Sequence, residues 1–433
     1  MIPKRETFIS IFILLWLTVI LPVSAISAEP GAGRQFRLVT ASIRFALSAS
    51  LSSANSPALS TVKDPISVVE TSASRWSAVS ALRITFTKSN LVSVSSGGVR
   101  GDGVSLITIA ATAENLALFP DNEKSPPAVT RIFFNKAGFI TEADIVLNPF
   151  VRFSDSGETG YDLETVLTHE IGHAVGLGHS YVPSSIMNSE IESADYWTRE
   201  VFPGRQLAQV DISSIRAKYG PKELNEDCCS AIIGSVYSIE NRPLSAEIWV
   251  EDEAGRLIAY TRSQPDGFFS LKGLESGTYS VYAQFPDQGF AAKSIVNRRR
   301  LLSGDILQLN TRLSLSKNLP IIRYFGFNSG LSRRPAVLSG AKQGQMFLFG
   351  EGIGPNDFEA GFSTGQIIAF GNEAFSVDFG LNIPAVAVPF SKFQDDKTGE
   401  FSFFVQNSKS ERVYCIGCIK IVSEQEVDSA IVK

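Results

Sequence analysis

A chain of 433 residues with a formal net charge of −5 and no long basic run gives no reason to expect a nucleic-acid partner. It is too long for a single hydrophobic core, so about two or three domains are expected. Beyond the amino terminus no apolar stretch approaches the roughly 18 residues that a membrane span requires.

Lys4 and Arg5 precede an apolar stretch from Phe8 to Leu21, and the small residues of Val23-Ser24-Ala25 or Ile26-Ser27-Ala28 then suit cleavage. Residues 1–28 read as a secretory signal peptide and 29–37 as a short linker. No stable membrane span is expected once the signal is removed. The first strand-like segment is Gln35 to Arg44. Asp64 and Pro65 read as the cap and first residue of a helix, with Ile66, Val69, Ala73 and Trp76 at helical spacing. Leu82 to Thr87 alternates as a half-buried strand does, and Val104 to Ala110 and Arg131 to Phe134 are further strand candidates.

All three histidines of the chain fall in one run, His169-Glu170-Ile171-Gly172-His173-Ala174-Val175-Gly176-Leu177-Gly178-His179. If 162–175 is helical, His169 and His173 leave the same face about 6 Å apart along the axis. Gly176 tolerates the positive φ of an abrupt reversal, so the chain can return His179 to the same metal. Three neutral imidazoles leave a fourth position open, the mark of a catalytic rather than a structural zinc site. Glu170, beside the first ligand, can act as general base for a zinc-activated water attacking a peptide carbonyl.

Val210-Asp211-Ile212 to Tyr219 reads as another helix, with Ile212, Ile215 and Tyr219 on one face and Gly220 as its cap. After Gly220 the composition changes. Pro221 to Asp227 is polar and charged, and short strand-like runs then alternate with Gly, Pro and Asp turns, which places a domain boundary at 221–229. Residues 230–315 contain Ile233 to Val236, Pro243 to Val250, Asp266 to Phe269 and Gly277 to Val281. Residues 318–424 contain Gln345 to Gly350, Ala385 to Phe390 and Phe401 to Gln406, and 425–433 form a tail. Arg298 to Arg300 fit a solvated loop or a guard on an edge strand. For the four cysteines of an exported protein disulfides are the default. A Cys415–Cys418 bridge fits, and so do links from Cys228 and Cys229 to the last strand.

H-E-x-x-H-x-x-G-x-x-H followed by a methionine at Met187 is the signature of the metzincin zinc endopeptidases. His179-Ser180 with Ser185-Ile186-Met187 most resembles the matrixin branch. The resemblance covers residues 38–220. It implies zinc ligation by His169, His173 and His179, catalysis by Glu170, and a structural methionine turn at Met187. Asp144-Ile145-Val146-Leu147-Asn148 resembles the edge strand that pairs with substrate in that family, and the segment from Ser180 to Tyr196 would wall the pocket for the residue after the scissile bond. Calcium follows by analogy, with Asp102, Asp121, Asp144 and Asp155 as donors. The chain departs from animal matrixins in two ways: it has no further histidines for a second zinc, and no cysteine precedes Cys228. Residues 230–315 resemble a carboxypeptidase-regulatory-like, or Cna-B-type, β-sandwich, and 318–424 resemble an immunoglobulin-like IPT/TIG module.

The expected fold is an α+β metzincin catalytic domain, with a twisted mixed sheet, an active-site helix and a closing helix, followed by two all-β immunoglobulin-like sandwiches. The expected function is that of a secreted zinc metalloendopeptidase acting on extracellular protein or peptide substrates, with one catalytic Zn2+, in the extracellular space, at the cell surface or in the periplasm. A second reading makes the chain a surface or matrix adhesion protein, its sandwiches binding a surface or matrix polymer and its peptidase domain vestigial or self-processing.

Overall fold

The computed structural model of the chain describes residues 36–422, except 53, 96–100, 158, 190–204, 224–226, 328–329, 333–335, 338–342, 354–357, 364–367, 370–374, 378–384 and 392–397. The expected signal peptide, most of the linker after it and the carboxy-terminal tail lie outside the described residues. Among the described residues no helix is long and apolar enough to cross a membrane.

The first part of the chain runs β1 (Arg37–Leu38), β2 (Ser42–Ser48), α1 (Pro65–Val79), β3 (Arg83–Ser89), β4 (Ser105–Thr108), α2 (Ala113–Leu116), β5 (Ala128–Phe134), β6 (Phe139–Leu147), β7 (Phe153–Ser154), β8 (Tyr161–Asp162), α3 (Leu163–Ala174) and α4 (Gln209–Tyr219). Helix α1 begins where the sequence places it: the Asp64 side chain accepts from Ser67 N at 3.1 Å, and Pro65 fills a first-turn position whose N–H would have no partner. Its face of Val69, Ala73 and Trp76 is buried. Helix α3 is capped by Asp162, which accepts from the Glu164 and Thr165 amides. The same carboxylate receives Arg205 Nε at 2.6 Å, and Arg75 Nε reaches Glu164 at 2.8 Å. The start of the histidine helix is thus held by two arginines, one from α1 and one from the segment before α4.

The sheet beside these helices has the order β3-β2-β4-β6, with β1 also parallel on β6 and β5 antiparallel to it. Its apolar face meets α1 and α3 in one core that includes Phe45, Leu59, Trp76, Ile107, Ile145, Leu167 and Ile171. Trp76 is central to that core: it is fully buried, and its Nε1 donates to Thr168 O at 2.9 Å on the turn just before His169.

This topology corrects one expectation. The segment Asp144–Asn148 is no edge. Ile145 pairs with Ile107 of β4 on one side and with Thr130 of β5 on the other. The physical reason is visible in the residues, because Glu142 to Leu147 are buried without interruption, which is the pattern of a central strand covered on both faces. On this side of the sheet the edge is β5, whose second side pairs with no strand among the described residues, while β3 ends the far side.

Seven strands follow: β9 (Cys228–Ser238), β10 (Glu247–Asp252), β11 (Leu257–Arg262), β12 (Phe268–Glu275), β13 (Gly277–Phe285), β14 (Phe290–Leu301) and β15 (Ile306–Leu313). They form a sheet β11-β10-β13-β14 and a sheet β12-β9-β15. Inward residues of both, among them Ile248, Val250 and Val281 against Val236, Phe269 and Leu271, enclose a common core, as two sheets packed face to face do. Arg298 to Arg300 lie exposed on β14, an outer strand of its sheet, where cations discourage edge pairing.

The last part comprises β16 (Ile321–Phe327), β17 (Gly330–Ser332), β18 (Ala336–Val337), β19 (Gln343–Glu351), β20 (Phe358–Phe362), β21 (Ile368–Ala369), β22 (Phe375–Val377), β23 (Ala385–Ser391), β24 (Gly399–Asn407) and β25 (Arg412–Ile421). The sheets β17-β16-β19-β23-β22 and β18-β25-β24-β20-β21 pack Met346, Leu348 and Val386 against Phe362, Phe403, Val405 and Ile419.

The cysteines pair as neither expected arrangement had it. Cys228 is bonded to its neighbour Cys229, while Cys415 and Cys418 are free thiols on β25. Burial pushes the Cys415 thiol well above its ordinary pKa.

Truncating Trp76 to Ala should lower unfolding free energy by about 3–5 kcal/mol, because it opens a cavity between α1 and α3 and removes a buried hydrogen bond. Urea unfolding followed by fluorescence would measure it, and a loss below about 1 kcal/mol would show that the core tolerates collapse at that point.

Candidate metal centre

Helix α3 carries His169 and His173 on one face, as the four-residue spacing requires. Val175 is the C-cap, and Gly176 takes φ +90°, a conformation in which a side chain would be strained. A Cβ at Gly176 would also meet Phe36 O at 2.4 Å. The chain therefore reverses at a glycine and brings His179 back. The ligand-capable nitrogens of His169, His173 and His179 all lie within 4.8 Å of one another, and His173 Nε2 stands 3.1 Å from His179 Nε2. Two nitrogens about 2.0–2.1 Å from one tetrahedral zinc would be separated by roughly 3.4 Å, so the donors stand near the spacing that the ion demands.

Tautomers are set by neighbouring carbonyls. Ile186 O accepts from His169 Nδ1 at 2.7 Å and Leu177 O accepts from His173 Nδ1 at 2.9 Å. A carbonyl can only accept, so each Nδ1 carries the proton and each Nε2 keeps its lone pair for a metal. Burial also disfavours the imidazolium form of His173, whose pKa lies below the ordinary value even though the Leu177 carbonyl opposes the shift. The donor set, three imidazoles with no fourth protein ligand in the group, fits a zinc ion with an open position.

Glu170 is buried on α3 beside the first histidine, and desolvation raises its pKa to about 7 against the opposing hydrogen bond from Thr130. That partner is a residue the sequence did not single out. Thr130 of the edge strand β5 directs its hydroxyl at the Glu170 carboxylate and stands 3.1 Å from the Glu170 carbonyl oxygen. Met187 is buried beneath the histidine helix, where a Cβ on Gly172 would meet its Sδ at 2.3 Å and Trp76 at 2.9 Å. Gly172 is thus a close-approach glycine: only a bare Cα lets the methionine lie against the helix.

The segment from Ser180 to Asn188 closes on itself, with Ser180 N donating to Met187 O at 2.8 Å and Asn188 Nδ2 to Val182 O at 3.2 Å. Residues 190–196 of the expected pocket wall lie outside the described residues. The loop is anchored by Asp211, a second residue that sequence reasoning passed over. Its buried carboxylate accepts from Ser185 Oγ at 2.5 Å, Ile186 N at 2.9 Å and Ala208 N at 2.9 Å. Burial raises its pKa to about 6, with these bonds pulling it down. An aspartate in the first turn of a helix was the available signal, but Ser185 and Ile186, the partners that tie it to the loop, lie 26 and 25 residues away in sequence. Tyr219 closes the other end: its hydroxyl donates to Val175 O at 2.7 Å and accepts from Leu38 N at 3.0 Å.

The four aspartates expected as calcium donors are not drawn into one group. Asp144 accepts from Leu106 N, Asp102 from Val104 N and Asp155 from Lys63 N, while Asp121 flanks a short helical turn. Among the described residues the histidines form the one group of three or more such side chains with ligand atoms close enough to share an ion.

Residues 55–220 match the family model described as matrixin. The chain is 37% identical over 68 residues to matrix metalloproteinase-20 of Homo sapiens, covering 16% of this chain and 13% of that protein. It is 47% identical over 62 residues to metalloendoproteinase 5-MMP of Arabidopsis thaliana, covering 14% and 15%, and 31% identical over 150 residues to metalloendoproteinase 2-MMP of the same plant, covering 34% of each. The chain therefore spans about a seventh of the length of the first two relatives and a third of the last. Among solved structures, the major pilin subunit BcpA of Bacillus cereus aligns at 10% identity over 43% of this chain and 66% of its own, with a TM-score of 0.17, too slight a likeness to bear on the fold.

Alanine at any one of the three histidines should abolish stoichiometric zinc binding in a chelator competition that the parent protein survives. Asp211→Ala should cost about 3 kcal/mol or more in urea unfolding, since it strands three buried donors at once; a cost below about 1 kcal/mol would mean that water replaces the carboxylate.

Proposed function

We propose that this chain is an exported zinc-dependent metalloendopeptidase whose matrixin-like domain hydrolyses peptide bonds of extracellular proteins. The observation that carries the reading is the convergence of three imidazoles, two of them with tautomers set by carbonyls, beside the buried carboxylate of Glu170. The match of residues 55–220 to the matrixin model supports it independently. His169, His173 and His179 would hold the ion, which when bound supplies a Lewis acid for the substrate carbonyl and lowers the pKa of water.

The chain's own groups account for the rest. We assign substrate pairing to the open edge of β5 in place of Asp144–Asn148, because an extended peptide can add to an unpaired edge through its backbone groups alone. Such a peptide passes Thr130, whose hydroxyl contacts Glu170. Glu170 takes the proton of the attacking water and delivers it to the leaving amine, while Thr130 keeps the carboxylate turned toward the strand. Met187 underlies the ligand helix as a spacer. The Ser180–Asn188 loop borders the third histidine and is assigned to the wall of the pocket for the residue after the scissile bond.

The strand content of 228–313 and 321–421 supports two sandwich modules, which we assign as carboxypeptidase-regulatory-like and immunoglobulin-like respectively. The basic and apolar amino terminus supports export.

Residues 29–433 should hold one zinc and cleave casein or members of a quenched-peptide panel. Chelation should stop cleavage and added zinc should restore it. Glu170→Ala should retain zinc yet lower kcat/KM by about 100- to 10,000-fold. Full cleavage by that variant would remove Glu170 from the mechanism, and stoichiometric zinc with no cleavage of any substrate would favour the adhesion reading.

A further inference from the structure

The two sandwiches reach the loop that follows the third histidine. Val182 is fully buried and packs, with Ala208 and Val210, into a cluster completed by Trp249 and Leu257 of the first sandwich and Phe404, Tyr414 and Ile416 of the second. A methyl group on Gly417 of β25 would lie 2.7 Å from Val182 Cγ1 and 3.1 Å from Ser184 Oγ, so β25 touches the loop without a gap. On the loop's other flank, the Arg262 guanidinium carbon stands 5.3 Å from the Tyr181 ring centre and 5.4 Å from that of Phe285, while its Nε donates to Ser245 O at 3.0 Å. That geometry lets one cation bridge two aromatic faces across the junction. The sandwiches are also fastened to each other: Gln284 Nε2 donates to Tyr414 O at 2.9 Å and its Oε1 accepts from Tyr414 N at 2.8 Å, both buried.

The same loop enters the ligand shell through Ile186 O, which fixes the His169 ring. It is short and closed by the Ser180–Met187 and Asn188–Val182 bonds, so a shift at Tyr181 or Val182 is transmitted to Ile186 and to His179. Hydrogen-bond partners of metal-ligating histidines typically contribute about 10- to 100-fold in metal affinity.

We infer that Arg262 and Leu257 of the first sandwich, with Ile416 and Gly417 of the second, are positioning residues for the metal centre: they hold the Ser180–Asn188 loop so that Ile186 orients His169 and His179 stays beside His173. This inference rests on the zinc reading above and goes beyond it, since it makes the sandwiches part of the support of the site rather than appended modules.

The test uses the full chain carrying Arg262→Gln or Leu257→Ala, with Val236→Ala as a control. Val236 is as buried as Leu257, but it sits in the first sandwich's own core, away from the loop. Zinc Kd is read by chelator competition, and amide hydrogen exchange is followed across 180–188. Each junction variant should weaken zinc binding by about 10-fold and speed exchange in the loop. The control should do neither, whatever its global stability. Zinc held equally by all four proteins, or weakened as much in the control, overturns the inference while leaving the peptidase reading intact. A parent protein that holds no zinc overturns both, and zinc binding without cleavage removes only the peptidase reading.

Discussion

The Asp211 carboxylate is the interaction on which the geometry of the candidate metal centre depends. A buried carboxylate is tolerated only where donors surround it. Here those donors come from two places, Ser185 and Ile186 on the loop after the third histidine and Ala208 at the start of α4. Satisfying the charge therefore fastens the loop to the closing helix. The loop, once fastened, presents Ile186 O to His169. Tyr219 at the far end of α4 completes the frame by bonding Val175 O at the end of the histidine helix. Orientation of the ligands is thus distributed over one helix that bears two of them and a second helix that bears none.

The sheet supplies a second constraint. Because β6 is covered by β4 and β5, the acidic strand of Glu142 and Asp144 is an interior element, and on that side of the sheet the backbone groups left open among the described residues belong to β5. Thr130 lies on that strand and against Glu170. The open edge of β5 and the buried Glu170 carboxylate are therefore joined by a single side chain. The buried arrangement has a cost at Asp144, whose pKa burial raises to about 7.

Packing at the junction of the three parts gives the sandwiches a role that their own cores do not require. Trp249 is fully buried, yet it lies outside the core between its own two sheets and stacks with Tyr282 and against Tyr414. An aromatic cluster of this kind holds the parts in a fixed relation, because separating them would expose large apolar surfaces to water.

Much of this protein was legible in its residues. The helix from Pro65 followed from Asp64-Pro65 and the spacing of Val69, Ala73 and Trp76, and the histidine helix followed from the four-residue spacing, since both are local consequences of backbone geometry. Strands β9, β10, β12, β13, β19, β23 and β24 overlap short apolar runs between turn residues, whereas β11, β14, β15, β16 and β25 were not singled out. The edge strand was misplaced, although the unbroken run Ile145-Val146-Leu147 carried the pattern of a central strand. Which strand stands at an edge, which hydroxyl reaches Glu170, which carboxylate anchors the loop and which sandwich residues touch Tyr181 and Val182 were decided by tertiary structure alone. The sequence by itself determined the donor set, the helix that spaces it and the glycine that returns the third ligand, because these depend on neighbours a few residues away. Strand order, Asp211, Thr130 and the junction depend on contacts between residues far apart along the chain, and nothing in local periodicity encodes them.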